Sequence, residues 1–468
     1  MSAASLTTAS SSAFTAEAGA MAVRRGVDAV TWLSLYTLAV FVIPSWLVFR
    51  PLGSAGSVSM LMGLGSFAIW LLLRVGRPLP VDQPRQPMRL MLELFLFSVG
   101  VTYVIAMSQP ISRDEVSPAD VAIIAMVSWA GTMMLAGDAI SSMARVHALV
   151  WRLVVGGSFL AVLGLAQFFA RQVFVDRISI PALTPMTTVE LAMRNGLVRP
   201  AGTALSPIEY GTLMGMLLPV ALHVGFHHRN LNPLVRWAPV GLICMIIAAS
   251  SSRSAYLGAA IAVAVCMIGW SRRQRGMVLG LGAGGLALVF LVAPRIIDSV
   301  TGMFVGAEED PSVTSRTDSY GVAWFFVDRN PLFGRGLGTF LPKYRIFDNQ
   351  YLQMMVSIGI VGVLLFAAFA IATFIQLARV YRACEDPKTR DLVVALIGAA
   401  AAGFAGLAFF DAFAFPMTMG TIFLILGLGS AVTRLTALSP PAKAPPARPS
   451  PADPSLAGQV ADRDGLAR

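Results

Sequence analysis

Charge is what this chain has least of. Asp, Glu, Lys and Arg make up 13% of its 468 residues, about half the share of a soluble globular domain. A fold that must meet water on every face cannot be built from such a composition. Cysteine is almost missing as well: Cys244, Cys266 and Cys384 have no metal-ligand spacing, so neither a disulfide nor a metal site is predicted from them. Of the four histidines, His223, His227 and His228 cluster near one predicted span end, where they read as helix-capping and headgroup-contacting residues. Residues 1–23 lack a basic start before an apolar core, which argues against a cleaved signal peptide. The apolar runs lack the two-residue alternation of barrel strands. Short internal repeats and paired Gly/Pro-broken midplane segments are absent too, and the latter absence counts against an inverted-repeat transporter.

What remains is apolar and blocked. Hydrophobic residues make up 56% of the chain, with a mean hydropathy of +0.71. They gather into stretches of about twenty residues, the length needed to cross a hydrocarbon core as helix. The predicted fold is therefore all-α and polytopic. About twelve transmembrane helices are placed near 29–49, 53–73, 90–109, 118–137, 149–169, 207–224, 235–250, 254–271, 276–294, 350–377, 391–411 and 416–434. Residues 29–436 form the membrane domain, between disordered tails at 1–28 and 437–468, the second rich in Pro and Ala.

Orientation follows from the basic residues. With the N-terminus inside, five short inner loops hold fifteen Lys and Arg, whereas the short outer connections hold only Arg50, Arg113 and Arg253. The positive-inside rule then predicts a cytoplasmic-membrane protein with both termini cytoplasmic and two long extracytoplasmic loops, 170–206 and 295–349. The net charge of +10 belongs to this topology signal and to contacts with anionic membrane lipids rather than to nucleic acid.

Four polar sites fall on the outer side, where charges beside apolar spans are costly. Arg199-Pro-Ala-Gly-Thr leads to Ser206, a plausible N-cap before an N1 proline, and to Glu209 one turn into a span. Ser250-Ser-Ser-Arg253-Ser254 forms a hairpin tip. Its guanidinium and hydroxyls suit phosphate oxygens, or else a snorkelling headgroup contact. Gly334-Arg-Gly-Leu-Gly338 allows a sharp bend or a close backbone approach; it precedes Asp348-Asn349-Gln350-Tyr351, where Asp348 is either a helix cap or a reactive carboxylate. Asp411 sits among phenylalanines in a minimal connection, where it pairs with an arginine or shapes the site.

Taken in order over roughly residues 195–430, these stretches, with Ser315-Arg316 and Gly359-Ile-Val-Gly362, resemble the O-antigen ligase and O-antigen polymerase family. The resemblance implies a glycosyltransferase that needs no cofactor or metal and inverts at the anomeric carbon. Its donor would be a glycan on a polyprenyl (undecaprenyl-type) diphosphate, and its acceptor a glycan or a lipid. A flippase and chain-length-control proteins would be its partners in building a cell-envelope polysaccharide. Arg199 and Arg253 match the family's diphosphate-binding arginines, with Glu209, Ser254, Arg316 and Asp411 in support. Asp348 stands where ligases have a histidine in a His-Asn-x-Tyr-Leu-like motif, and Asn349 and Tyr351 follow in register as catalytic-site residues that would orient Asp348 or a sugar. The substitution leans toward a polymerase over a ligase, with Asp348 as base once burial raises its pKa. A multi-span transporter or flippase and an inactive scaffold are the other readings.

Overall fold

A computed structural model describes residues 28–76, 86–188, 190–194, 196–292 and 311–438, with the side chains of 288, 289, 292 and 311–317 left out. Both predicted tails, apart from their inner edges, lie outside these residues, as does 293–310 of the second long loop.

Every predicted span coincides with a helix. In chain order these are α1 (Ala29–Val42), α2 (Val58–Gly76), α3 (Pro87–Met107), α4 (Arg113–Ala139), α5 (Met143–Ala170), α6 (Pro207–His227), α7 (Pro233–Ala249), α8 (Arg253–Gly269) and α9 (Arg272–Val292). After α10 (Pro311–Val327), a helix inside the second loop, come α11 (Gln350–Ala383), α12 (Pro387–Gly406) and α13 (Pro416–Leu438). Among the described residues, eight of these are long and apolar enough to cross a membrane, and three more are shorter apolar helices. The protein is an all-α polytopic membrane protein.

Burial sorts the helices into core and periphery. Every residue of α6 from Glu209 to Gly225 is buried, and so is every residue of α13 from Pro416 to Thr433. Peripheral helices turn apolar stripes outward: Leu90, Leu94, Phe97 and Val104 on α3, and Ile360, Leu364, Ile371 and Ile375 on α11. Exposed rows of this kind suit acyl chains, not water. Small residues set the close helix approaches, as expected where lipid offers no competing hydrophobic force. A Cβ on Gly211 would meet that of Ala255 at 2.7 Å, and one on Gly398 would meet the carbonyl of Ala262 at 2.9 Å.

Helix ends depart from the hydropathy blocks in three places. α1 stops at Val42, and β1 (Leu47–Phe49) instead pairs antiparallel with β2 (Leu183–Pro185) from the first long loop. α12 stops at Gly406, leaving Asp411 in a connection and not in a span. α11 is broken at Gly359, whose φ of 64° and ψ of −172° interrupt the helix.

That break explains the glycines at 334–338. The carbonyls freed at Val356 and Ser357 accept the N–H groups of Arg335 at 3.1 Å and Gly336 at 2.8 Å. In return, the N–H groups of Ile360 and Val361 donate to Pro331 and Leu332 at 2.9 and 3.2 Å. The loop thus satisfies the backbone of a broken membrane helix, the condition under which such a break is tolerated. Gly334, Gly336 and Gly338 all have positive φ, and a Cβ on Gly334 would lie 2.5 Å from the Ser357 carbonyl carbon. Of the two sequence readings, bend and close approach, both hold, but what is approached is the protein's own backbone. Gly334→Ala should therefore destabilise by about 2 kcal/mol or more, adding overpacking to left-handed strain. Gly196→Ala, with φ of 75° and nothing within 4 Å, should cost only about 1 kcal/mol. Melting temperatures in detergent separate the two; equal losses would remove the close-approach argument.

Candidate functional site

The polar residues singled out from sequence converge on one end of the bundle. The N-terminal ends of α6, α8, α11 and α13 and the C-terminal end of α12 all lie there, linked by named contacts. Gly211 of α6 packs on Ala255 of α8, and Gly406 of α12 on Thr212 of α6. The N–H of Gln350 donates to the Leu407 carbonyl at 2.8 Å, and the Gln350 side-chain oxygen accepts from the N–H of Phe413 at 2.9 Å.

On one side of α6 the arginines gather. A hairpin of β3 (Ala192–Arg194) and β4 (Leu197–Arg199) pairs Ala192 with Arg199 and Arg194 with Leu197, so both arginines share one face. Arg199 lines a cavity of about 130 Å³ with Gln167, Thr187, Thr188, Gly202 and Leu205. Its Nε is buried without a hydrogen-bond partner. Burial, then the charge of Arg194, pulls its pKa down, while Tyr256 acts in the opposite sense; a guanidinium nonetheless stays charged. The turn beneath is rigid: Gly202 has a φ of 59°, and the Gln167 side chain bonds both its N–H at 2.8 Å and its carbonyl at 3.0 Å. Ser206 accepts the N–H of Ile208 at 3.2 Å as N-cap, with Pro207 at N1, as the sequence predicts.

The serine hairpin completes this side. Ser250, Ser251, Ser252 and Ser254 are buried, and Ser251 has a φ of 47°. Arg253 is the first residue of α8, half-buried at the same end, and Ser254 bonds Ser252 at 3.0 Å. Tyr256, the neighbour of Arg199, donates to the Ala248 carbonyl at 3.0 Å and so ties the hairpin shut.

At the same bundle end stands Asp348, just before α11, held by its neighbours rather than acting as a cap. Its φ of 50° is left-handed. Phe347 before it is fully buried and stacks on Phe340 with ring centroids 4.8 Å apart. Asn349 after it is the N-cap of α11, accepting the N–H groups of Tyr351 at 3.0 Å and Leu352 at 3.3 Å. Asp411 pins the turn: it accepts the N–H of Asn349 at 3.2 Å, and those of Phe347 and Asp348 are directed at it as well. Burial and the Asp348 carboxylate push Asp411 above the ordinary carboxylate range, against the pull of those N–H groups. Asp411 therefore holds the turn that carries Asp348.

Other expected roles are redirected. Tyr351 donates its hydroxyl to the Phe404 carbonyl at 2.7 Å, so it anchors α11 to α12. Glu209 is fully buried and accepts backbone N–H groups of Leu205 at 2.8 Å, Met417 at 3.0 Å and Thr418 at 3.2 Å. A carboxylate so occupied holds two helix ends together. Arg316 lies on α10, and its side chain is outside the described residues. Sequence reasoning missed Arg194, which only the β3–β4 pairing brings beside Arg199. It also missed Arg335, which donates to the buried Glu115 of α4 at 2.7 Å and locks the second loop to the bundle.

Residues 238–367 match a family model described as O-Antigen ligase. A comparison with curated proteins finds no match. The match takes in α8, the serine hairpin, the glycine loop and Asp348, and bears out the resemblance to the O-antigen ligase and polymerase family.

Proposed function

We propose that this O-antigen ligase-type membrane enzyme polymerises a surface polysaccharide at the extracytoplasmic face, using polyprenyl-diphosphate-linked glycan as donor. The observation that carries the proposal is the pairing of two unlike features on one bundle end. One is a buried, unpartnered guanidinium nitrogen in a small cavity; the other is an aspartate held in left-handed backbone at the mouth of a helix.

Each feature suits one half of a glycosyl transfer. Arg199, with Arg194 on the same face and Arg253 at the same end, would neutralise the diphosphate as it departs. Arg194 adds to the positive potential at Arg199. Fixed cations in a dry site cost no reorganisation when the charge develops. Asp348 would take the proton of an acceptor sugar hydroxyl. That oxygen forms the new bond to the anomeric carbon as the bond from carbon to the diphosphate oxygen breaks, giving inversion. The polyprenyl diphosphate leaves with both electrons of that bond. Asn349, Asp411 and the Phe347–Phe340 stack act as positioning residues for Asp348.

Glycan analysis of a deletion strain tests the reading. Lipid-linked single repeat units should accumulate; accumulated long lipid-linked polymer would assign a ligase instead, and unchanged glycans with altered uptake would assign a transporter. Topology gives a second test. Single cysteines introduced in 295–349 should react with an impermeant thiol reagent from outside and those at 271–276 should not, and the reverse pattern would overturn the site's placement.

A further inference from the structure

The protein's four histidines, scattered over 82 positions from His147 to His228 in the sequence, meet at the opposite end of the bundle from the site above. His223 and His227 lie one turn apart on α6, the i, i+4 spacing that turns two imidazoles to one face. Asp391, in the first turns of α12, reaches both: its Oδ2 lies 2.7 Å from Nδ1 of His223 and 3.1 Å from Nδ1 of His227. One ligand atom from each of the three residues falls within 4.8 Å of the others. His147 stacks on His223 at 5.9 Å, and His228 on Trp151 at 5.7 Å.

Two further observations mark this as a site rather than a chance cluster. The other carboxylate oxygen of Asp391 accepts from the Gln274 side chain of α9 at 2.7 Å, the outer-shell support that fixes a metal-binding carboxylate. In addition, Nε2 of His223 is buried without a hydrogen-bond partner, as are Nδ1 of His147 and Nδ1 of His228 at the same end, and Nδ1 of His227 meets Asp391 at 3.1 Å without hydrogen-bond geometry. Buried polar atoms are rarely left unsatisfied, and an ion between His223 and His227 would take up imidazole lone pairs that the protein leaves unmatched there. Lys388 lies nearby in the same turn of α12, so affinity there would rest on coordination by nitrogen and oxygen, not on net negative charge.

We propose that His223, His227 and Asp391 bind one divalent transition-metal ion of the zinc class. Two imidazoles and a carboxylate are three ligands of a zinc-type tetrahedron, and imidazole selects this class over magnesium or calcium. The ion clamps α6 to α12 at the end remote from glycan transfer, so its role is structural. The proposal does not depend on the transferase reading.

The test uses the full chain in detergent, purified without a histidine tag. Cobalt(II) should bind at one per chain and give the visible absorption bands of tetrahedral coordination. Zinc should displace it and raise the melting temperature. His227→Ala and Asp391→Asn should each weaken binding by about 100-fold or more, and Gln274→Ala by about 10-fold, the outer-shell range. No stoichiometric binding by the folded parent protein would overturn the proposal, whatever the variants do. Binding that survives both His227→Ala and Asp391→Asn in chains that still elute as the parent does would overturn it too.

Discussion

Arg199→Ala should lower glycan transfer to about one hundredth of the parental rate or less, the loss typical of removing one preorganised donor to a developing oxyanion. The variant should still insert and fold, because the Arg199 Nε makes no hydrogen bond within the protein. Its removal also relieves repulsion from Arg194 on the same hairpin face. A lost leaving-group contact thus predicts inactive but stable protein. A purely structural arginine predicts the opposite pairing, reduced stability with near-normal turnover per folded chain. Arg253→Ala should likewise abolish transfer while the protein still inserts. Lysine at either position should restore activity only in part, since a compact ammonium cannot form the two-pronged contact of a guanidinium with phosphate oxygens. The measurement is turnover of lipid-linked glycan in proteoliposomes, with melting temperature read on the same preparations. Parental turnover in both alanine variants would reduce these arginines to headgroup contacts.

How far the sequence could carry this reading depends on how local each feature is. Hydropathy alone locates the helices, because a membrane span declares itself within about twenty residues. Ser206-Pro207 is equally local, and the cap is where the sequence places it. The break at Gly359 is different. No proline marks it, and its cause lies in the loop from Pro331 to Gly338, whose backbone replaces the missing helical hydrogen bonds. Likewise nothing near Glu209 indicates that Met417 and Thr418 occupy its carboxylate from more than two hundred positions away. The histidine pair one turn apart on α6 was visible as spacing, but its third partner, Asp391, comes from another helix. Residues read as chemically suspicious because they are polar and buried divide in the structure by one criterion. Where backbone N–H groups consume the carboxylate, as at Glu209 and Asp411, the residue builds the site. Where polar atoms stay unpartnered, as at Arg199, a ligand is called for.

Asp348→Asn tests the mechanism most directly, and the local geometry makes it a clean substitution. Asparagine has nearly the same size and tolerates left-handed backbone as well as aspartate does, so the φ of 50° adds no new strain. The cap of α11 is undisturbed, because Asn349 supplies it. Stability should therefore change by less than the roughly 1 kcal/mol of a lost cap. Turnover should fall by a factor on the order of a hundred or more if Asp348 accepts the acceptor's proton, since an amide cannot. Asp411→Asn is the contrasting variant. It weakens the acceptor for the N–H groups of residues 347–349, so it should lower melting temperature and turnover together. Asp348→His places the ligase-type residue at this position, and recovered transfer there, beside an inactive Asn variant, would identify proton acceptance as the lost function. Parental turnover in Asp348→Asn would move the base elsewhere. Glu209 could not inherit the role, with both its oxygens already held by backbone N–H groups in the interior, so the search would turn to groups that the substrate itself brings.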